Sequence, residues 1–359
     1  MRIALDAMGS DSAPVSEVHG AVVAAKSSDV EILLVGDERE LKPALGAYRN
    51  PRHVTVVHAS ERIGMDEPPV TAIRQKKDSS LLVGLRLVKS GEADAFVSAG
   101  NTGAVMVGAR TTLGPIRGVA RSAICQILPT LHDPVLVLDL GANVDCTARH
   151  LCDFAEMGMI YAKRVLEVEE PRVGLLNIGE EDVKGNSVAK AVHQTLSAAT
   201  HIHFVGNIEP SAMFQGAADV VVCDGFVGNV VLKTSEAVAR LIGSLLKRDL
   251  KSSLISRIGA LISLGALRRL KRDMDPNEYT GAPLLGVNGV VIILHGSCKA
   301  RAVVNAIQGA CRAVEAGLTE HIRKGVQELR QAEAGLDDAG APEVAVPGSS
   351  TTAATSGVS

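Results

Sequence analysis

The run VGLLNI at 173–178 is followed by Gly179-Glu180-Glu181-Asp182-Val183-Lys184-Gly185-Asn186, which sets a lysine beside glycine turns at the start of a helical pattern. A lysine so placed suits an oxyanion or a phosphate as a mobile point charge. It also suits a nucleophile, if the surroundings suppress its charge. The competing reading is a solvated lysine balanced by Glu180, Glu181 and Asp182. A second candidate is Asp224-Gly225-Phe226-Val227-Gly228-Asn229, which leads into another helical pattern. Asn229 would set an amide among the open N–H groups of a helix start, the geometry of an oxyanion hole for acyl transfer. Cys223 ends an apolar run with no histidine nearby in sequence, and it reads as a buried structural thiol.

Two further turns could bind anions. Gly100-Asn101-Thr102-Gly103 reads as a nest of backbone N–H groups with two added side-chain donors, or as a turn that needs glycine for geometry alone. Asp139, Gly141, Ala142, Asn143 and Asp145 could hold donors or a metal, or Asp139 and Asn143 could cap the next helix. His295, in LHGSCKA, sits on one more strand-to-helix turn as a general base or as a histidine satisfied by the sheet edge. Cys146, His150 and Cys152 lie close together but match no standard zinc spacing, and no metal is expected.

These turns all follow continuous Val, Ile and Leu runs. DAFVSAGNTGA (94–104), PVLVLDLGANVD (134–145), RVGLLNIGEEDVKGN (172–186) and ADVVVCDGFVGNVVLK (218–233) read as strands buried on both faces of a parallel sheet. In open α/β sheets the carboxyl ends of the strands gather to form the ligand crevice. The expectation is one composite pocket that handles anions.

Ten strand-like runs begin near residues 2, 31, 54, 95, 123, 135, 173, 202, 219 and 290. Helical patterns such as 16–26, 79–91 and 186–199 lie between them. That alternation predicts a three-layer α/β/α fold with a mainly parallel sheet. The run near Ile124 could be an antiparallel insertion. A single domain is expected over 1–334, with a featureless tail over 335–359.

The 359 residues hold 35 glycines, five Phe, three Tyr and no Trp, with a net charge of −3. So few aromatics and so little positive charge argue against a nucleic-acid surface. Six cysteines without a CxxC pair fit a reduced, cytoplasmic compartment. No apolar run approaches the roughly 20 residues that span a bilayer. GxGxxG after the first strand, Walker A and GxSxG are all missing, so no nucleotide cofactor is expected.

Taken together, LDAMGSDSAP (5–14), IRQKKDSSL (73–81), SAGNTGA (98–104), LGANVD (140–145), NIGEEDVKGN (177–186), GNIEP (206–210), DGFVGNVVLKTSE (224–236) and HGS (295–297) resemble the bacterial phosphate acyltransferases of phospholipid synthesis. The resemblance runs in order over about residues 1–325 and departs at Gln75, where a basic residue is expected. It implies transfer of a fatty acyl group from acyl carrier protein to inorganic phosphate, with no cofactor and no metal. It also implies the fold of phosphotransacetylases and isocitrate dehydrogenase, and a homodimer. Carried over by position, Lys184 and Asn229 are the catalytic candidates. Asn101, Thr102, Gly103, Asn143, Gly185, Gly228 and His295 are the candidates for holding phosphate and acyl group. A dehydrogenase-like enzyme with an altered nucleotide site and a non-catalytic membrane scaffold are the alternatives.

One stretch, 235–272, breaks the strand–helix alternation. Leu241, Ile242, Leu245, Leu246, Leu250, Leu254, Ile258, Leu261 and Ile262 recur at three- and four-residue steps, which makes one apolar helical face. Eight basic residues lie between 247 and 272, opposed only by Asp249. Breaks near Ser252-Ser253, Gly259 and Gly265 suggest a protruding hairpin. Its tip, with Leu254, Ile258, Leu261 and Ile262, is a candidate contact with an anionic membrane surface, or part of a dimer interface. Membrane docking would place the chain on the inner face of the cell membrane, near the glycerol-phosphate acyltransferase that consumes acyl phosphate.

Overall fold

The computed structural model describes residues 1–49, 51–273 and 281–338. Eleven strands form one sheet: β1 (Arg2–Asp6), β2 (Glu31–Gly36), β3 (Val54–His58), β4 (Ala95–Ser98), β5 (Ala123–Leu128), β6 (Val135–Leu138), β7 (Arg172–Leu176), β8 (His203–Ile208), β9 (Val220–Val222), β10 (Ala282–Leu285) and β11 (Val290–Ile293). The strand order is β3-β2-β1-β4-β11-β10-β5-β6-β9-β7-β8. All ten runs picked from the sequence form strands. The eleventh, β10, is the short segment APLL, whose proline and length hide it in the sequence.

The helices are α1 (Val15–Ser27), α2 (Glu38–Gly46), α3 (Pro69–Gln75), α4 (Ser80–Ser90), α5 (Thr102–Thr112), α6 (Ala148–Val165) and α7 (Ser187–Ala198). They continue with α8 (Pro210–Phe214), α9 (Gly225–Lys251), α10 (Leu254–Ile262), α11 (Leu264–Asp273), α12 (Ala300–Glu315) and α13 (Leu318–Asp338). Strand side chains alternate between two cores. Ile3 and Leu5 pack with α1, α2, α6, α7, α12 and α13, whereas Ala4 packs with α3, α4, α5, α8 and the first turns of α9. This is the expected α/β/α sandwich.

Seven neighbouring pairs are parallel. The three others, β11–β10, β10–β5 and β5–β6, are antiparallel. Three reversals in a row turn β6, β7, β8 and β9 against β1, β2, β3, β4 and β11. The carboxyl ends of the two groups therefore open on opposite edges of the sheet. That corrects the expectation of one composite pocket within a chain.

The 235–272 stretch is helical throughout, but its first helix is the long α9, which starts at Gly225 directly on the turn after β9. The breaks fall at Ser252-Ser253 and at Ser263. Ser253 caps α10 by accepting from the Ser256 N–H at 3.1 Å. Gly259 and Gly265, expected as breaks, lie inside α10 and α11, since a single glycine costs a helix only about 1 kcal/mol. The 299–334 segment divides into α12 and α13 around Gly317, whose φ is +60°. α13 continues to Asp338, and the rest of the expected tail lies outside the described residues.

Candidate active site

Turns after β6, β9 and β7, which are neighbours in the sheet, stand together at one edge. Asp139 begins the first turn and is fully buried. Its carboxylate accepts from the N–H groups of Ile124, Ala142 and Asn143 and from Asn143 Nδ2, at 2.7–3.1 Å. Burial pushes the Asp139 pKa up against those bonds, which pull it down. The Asn143 amide also donates to the Ser122 carbonyl at 2.8 Å. Asn143 is thus committed to holding this turn.

The start of α9 rests on that turn. Gly225 N–H donates to the Asn143 carbonyl at 2.9 Å. A Cβ on Gly228 would lie 2.0 Å from the Asp139 carbonyl oxygen, so no other residue fits there without moving backbone. Asp224 caps the helix by accepting from the Val227 N–H at 2.9 Å. Cys223 is buried with its pKa raised well above normal, first by burial, and its thiol points at the Asp139 carbonyl. Asn229 is exposed, and its side-chain amide has no hydrogen-bond partner among the described residues. It is the uncommitted polar group at this helix start.

Lys184 lies on the turn beyond β7. Asn177 Nδ2 donates to the Lys184 carbonyl at 3.3 Å, and Asn207 Nδ2, from β8, donates to the Glu181 carbonyl at 2.9 Å. These two asparagines position the lysine loop; sequence reasoning gave them no role. The signal available was an asparagine at the end of each of two adjacent strands. Lys184 Nζ stands 3.7 Å from Glu181, with the lysine side chain 45% exposed. An exposed pair of this kind is worth little, so the ammonium can swing to a ligand at small cost. Gly185, φ +90°, closes the turn, and Asn186 caps α7.

Exposed apolar side chains share these turns and the start of α9. Val144, Ile178, Val183, Phe226, Val227 and Val230 lie on the same three turns and are 40–83% exposed. Polar groups on turns that also carry exposed apolar side chains suit a ligand with both characters.

The remaining predicted binding residues lie at the other edge. Asn101 caps α5 through Oδ1 and donates from Nδ2 to the carbonyls of Gly64, Met65 and Glu67, so its amide is spent on structure. Gly103 is where Pro69 packs, 2.6 Å from a built Cβ. Thr102 is exposed beside them. His295 Nδ1 lies 2.9 Å from the Ser297 hydroxyl, next to β4. None of these four joins Lys184 and Asn229 within one chain.

Comparison with known proteins settles the family. The sequence profile described as "Fatty acid synthesis protein" matches residues 1–321. A phosphate acyltransferase of Thermoanaerobacter pseudethanolicus is 47% identical over 92% of this chain and 98% of its own length. One from Heliobacterium modesticaldum is 50% identical over 90% and 98%. The chain belongs to the phosphate acyltransferase family. Its fold is that of a phosphotransacetylase from Streptococcus pyogenes, with a TM-score of 0.60 at 16% identity, covering 88% of this chain and 94% of that one.

Proposed function

We propose that the chain moves a fatty acyl group from the thioester of acyl carrier protein to inorganic phosphate, giving acyl phosphate for phospholipid synthesis. Family membership supports the reaction class. The observation that carries the site is the juxtaposition of Asn229, with an uncommitted amide, and the Lys184 turn on the adjacent strand. A phosphate oxygen attacks the thioester carbonyl carbon, the C–S bond breaks, and the carrier thiolate leaves. Asn229 donates to the oxyanion as it forms. Lys184 draws the phosphate in and offsets the growing charge. The ring of Val144, Ile178, Val183, Phe226, Val227 and Val230 takes the first part of the acyl chain. Asp139, Asn143, Gly228, Asn177 and Asn207 position these groups without touching substrate. Purified protein with carrier thioester and phosphate tests the reading: thiol release must require phosphate.

The helical hairpin is where the chain meets a second copy and an anionic membrane surface. α10 folds back on α9 and exposes Leu254, Ile255, Ile258, Leu261 and Ile262 at 58–84%. Lys247, Arg248, Lys251, Arg257, Arg268 and Arg269 are exposed around them. Among the described residues no helix is long and apolar enough to cross a membrane. Apolar tips with basic flanks suit shallow, salt-sensitive contact instead. Along α9, Val238, Leu241, Ile242, Leu245 and Leu246 are 37–56% exposed and suit packing against a partner helix.

A further inference from the structure

Residues 118–124, which lead into β5, are fastened by side chains of α6, α13 and the turn after β6. Asp153, fully buried in α6, accepts from the Ala120 N–H at 3.0 Å and pairs with Arg330 of α13. Arg330 Nε also donates to the Gly118 carbonyl at 3.4 Å. Asn143 Nδ2 donates to the Ser122 carbonyl at 2.8 Å. A buried carboxylate is costly to place, so a segment held by one is a fixed segment. Within 118–124, Arg121 alone is exposed.

Asn143 ties this segment to the candidate active site, because its carbonyl accepts the Gly225 N–H at the start of α9. The antiparallel register sets Cys125 against Leu138, and the Leu140 N–H donates to the Ile124 carbonyl at 3.0 Å. The amino end of β5 thus lies at the carboxyl end of β6. Along this edge the order is Arg121 before β5, the turn after β6, Asn229 after β9 and Lys184 after β7. Arg121 and Lys184 therefore flank Asn229. Two strand spacings, about 10 Å, separate β5 from β9.

Positive charge gathers around Arg121. Arg149 and His150 stand in α6 close by, and the His150 pKa is lowered first by burial and then by Arg121, with Arg149 adding to it. Asp153 opposes them, but it is buried and already paired with Arg330. Neither Arg121 nor Arg149 has a carboxylate partner among the described residues. A guanidinium fork on a fixed backbone, with a second beside it and no counter-charge, suits a phosphate group.

We infer that Arg121, with Arg149 beside it, is a second oxyanion-binding point of this site and holds a phosphate group of a substrate. The inference rests on the acyl-transfer reading above. That reaction brings two such groups, the acceptor phosphate and the phosphodiester of the carrier's pantetheine arm. The order along the edge favours the arm: with the acceptor at Lys184 and the thioester carbonyl at Asn229, the leaving thiol and its arm extend to the other side, toward Arg121.

The test compares parent, Arg121→Gln and Arg121→Lys, exposed changes that leave the buried anchors intact. Two donors carry the same acyl group, one on pantetheine and one on phosphopantetheine. The parent should have the higher kcat/KM for the phosphorylated donor. Arg121→Gln should lose about tenfold or more of that advantage, through KM, and Arg121→Lys should keep part of it, because charge remains without the fork. A tenfold rise in KM for inorganic phosphate, with donor preference unchanged, would place the acceptor at Arg121 and still support the oxyanion point. Parental values for both substrates in Arg121→Gln would overturn it. The His150 ring signal, assigned with His150→Gln, gives a readout independent of turnover. Added phosphopantetheine should raise the His150 pKa in the parent and not in Arg121→Gln. That result supports the inference even if no acyl phosphate is formed. The same rise in Arg121→Gln, or no response of parental His150 to phosphopantetheine and to inorganic phosphate, would overturn it.

Discussion

Gly141 faces Asn229: a Cβ built on Gly141 would lie 3.6 Å from both Cβ and Cγ of Asn229. Gly141 also has φ +113°, a backbone state that residues with a Cβ avoid. The turn after β6 thereby shapes the space in which the Asn229 amide moves. Gly179 does the same for Lys184, since a Cβ there would come within 3.1 Å of Lys184 Cγ.

Gly141→Ala should therefore cost about 1–3 kcal/mol of stability and lower kcat. Phosphate KM should change less, because the lysine turn is separate. Urea unfolding and steady-state kinetics on one preparation check this; parental kcat would show that Gly141 does not constrain the amide.

Asn101→Ala should destabilise the fold by about 1–3 kcal/mol, because it leaves the 64–67 carbonyls and the α5 start without their partner. Turnover of the folded fraction should hold, with phosphate KM unmoved. A large rise in phosphate KM would return Asn101 to the binding site.

Much of this was legible in the sequence, and the exceptions have physical causes. Buried parallel strands read as unbroken Val, Ile and Leu runs, so ten of them stood out. The opposed halves of the sheet were also marked, by connections too short for a crossover. Only residues 129–134 join β5 to β6, and 286–289 join β10 to β11, and both lengths demand antiparallel neighbours. Pattern alone leaves the run near Ile124 open as an antiparallel insertion and does not reveal β10, so turns on opposite edges merge into one expected pocket. Asn101 and Asn143 looked like ligand donors because a short amide that caps and one that binds have the same residue type. Only the partners distinguish them. Lys184 and Asn229 stood out because both follow glycine turns after apolar runs, a pattern that chain spacing preserves.

Asp139 gives a pH signature. Its folded pKa is raised above 3.8 by burial, so the folded chain holds this proton more tightly than the unfolded chain. The resulting stability is fully present below 3.8 and is lost as pH rises through the raised value. Asp139→Asn should cost about 2–4 kcal/mol, since its amide nitrogen would face N–H donors. The parent's advantage over the variant should narrow as pH rises through that window, read by urea unfolding at a series of pH values. A difference independent of pH would contradict the assignment.

Leu261→Glu, on the 70%-exposed tip of the hairpin, should abolish flotation with anionic vesicles. Parent binding should weaken as salt is raised, because the basic residues contribute about 1 kcal/mol each near such a surface. Turnover on soluble carrier thioester should persist in the variant. Flotation of both proteins would take the contact away from the Leu261 tip, and flotation of neither would remove the membrane from the account.

The central claim is that Asn229 and Lys184 carry acyl transfer to phosphate. The most direct measurement is phosphorus NMR of acyl phosphate formed from carrier thioester and inorganic phosphate by parent, Asn229→Ala and Lys184→Ala, with circular dichroism confirming their folds. The account predicts an acyl phosphate signal from the parent. It predicts a loss of about 10²–10³ in rate for Asn229→Ala and a comparable loss for Lys184→Ala. Parental rates in both variants, or thiol release from the parent with no acyl phosphate formed, would contradict it.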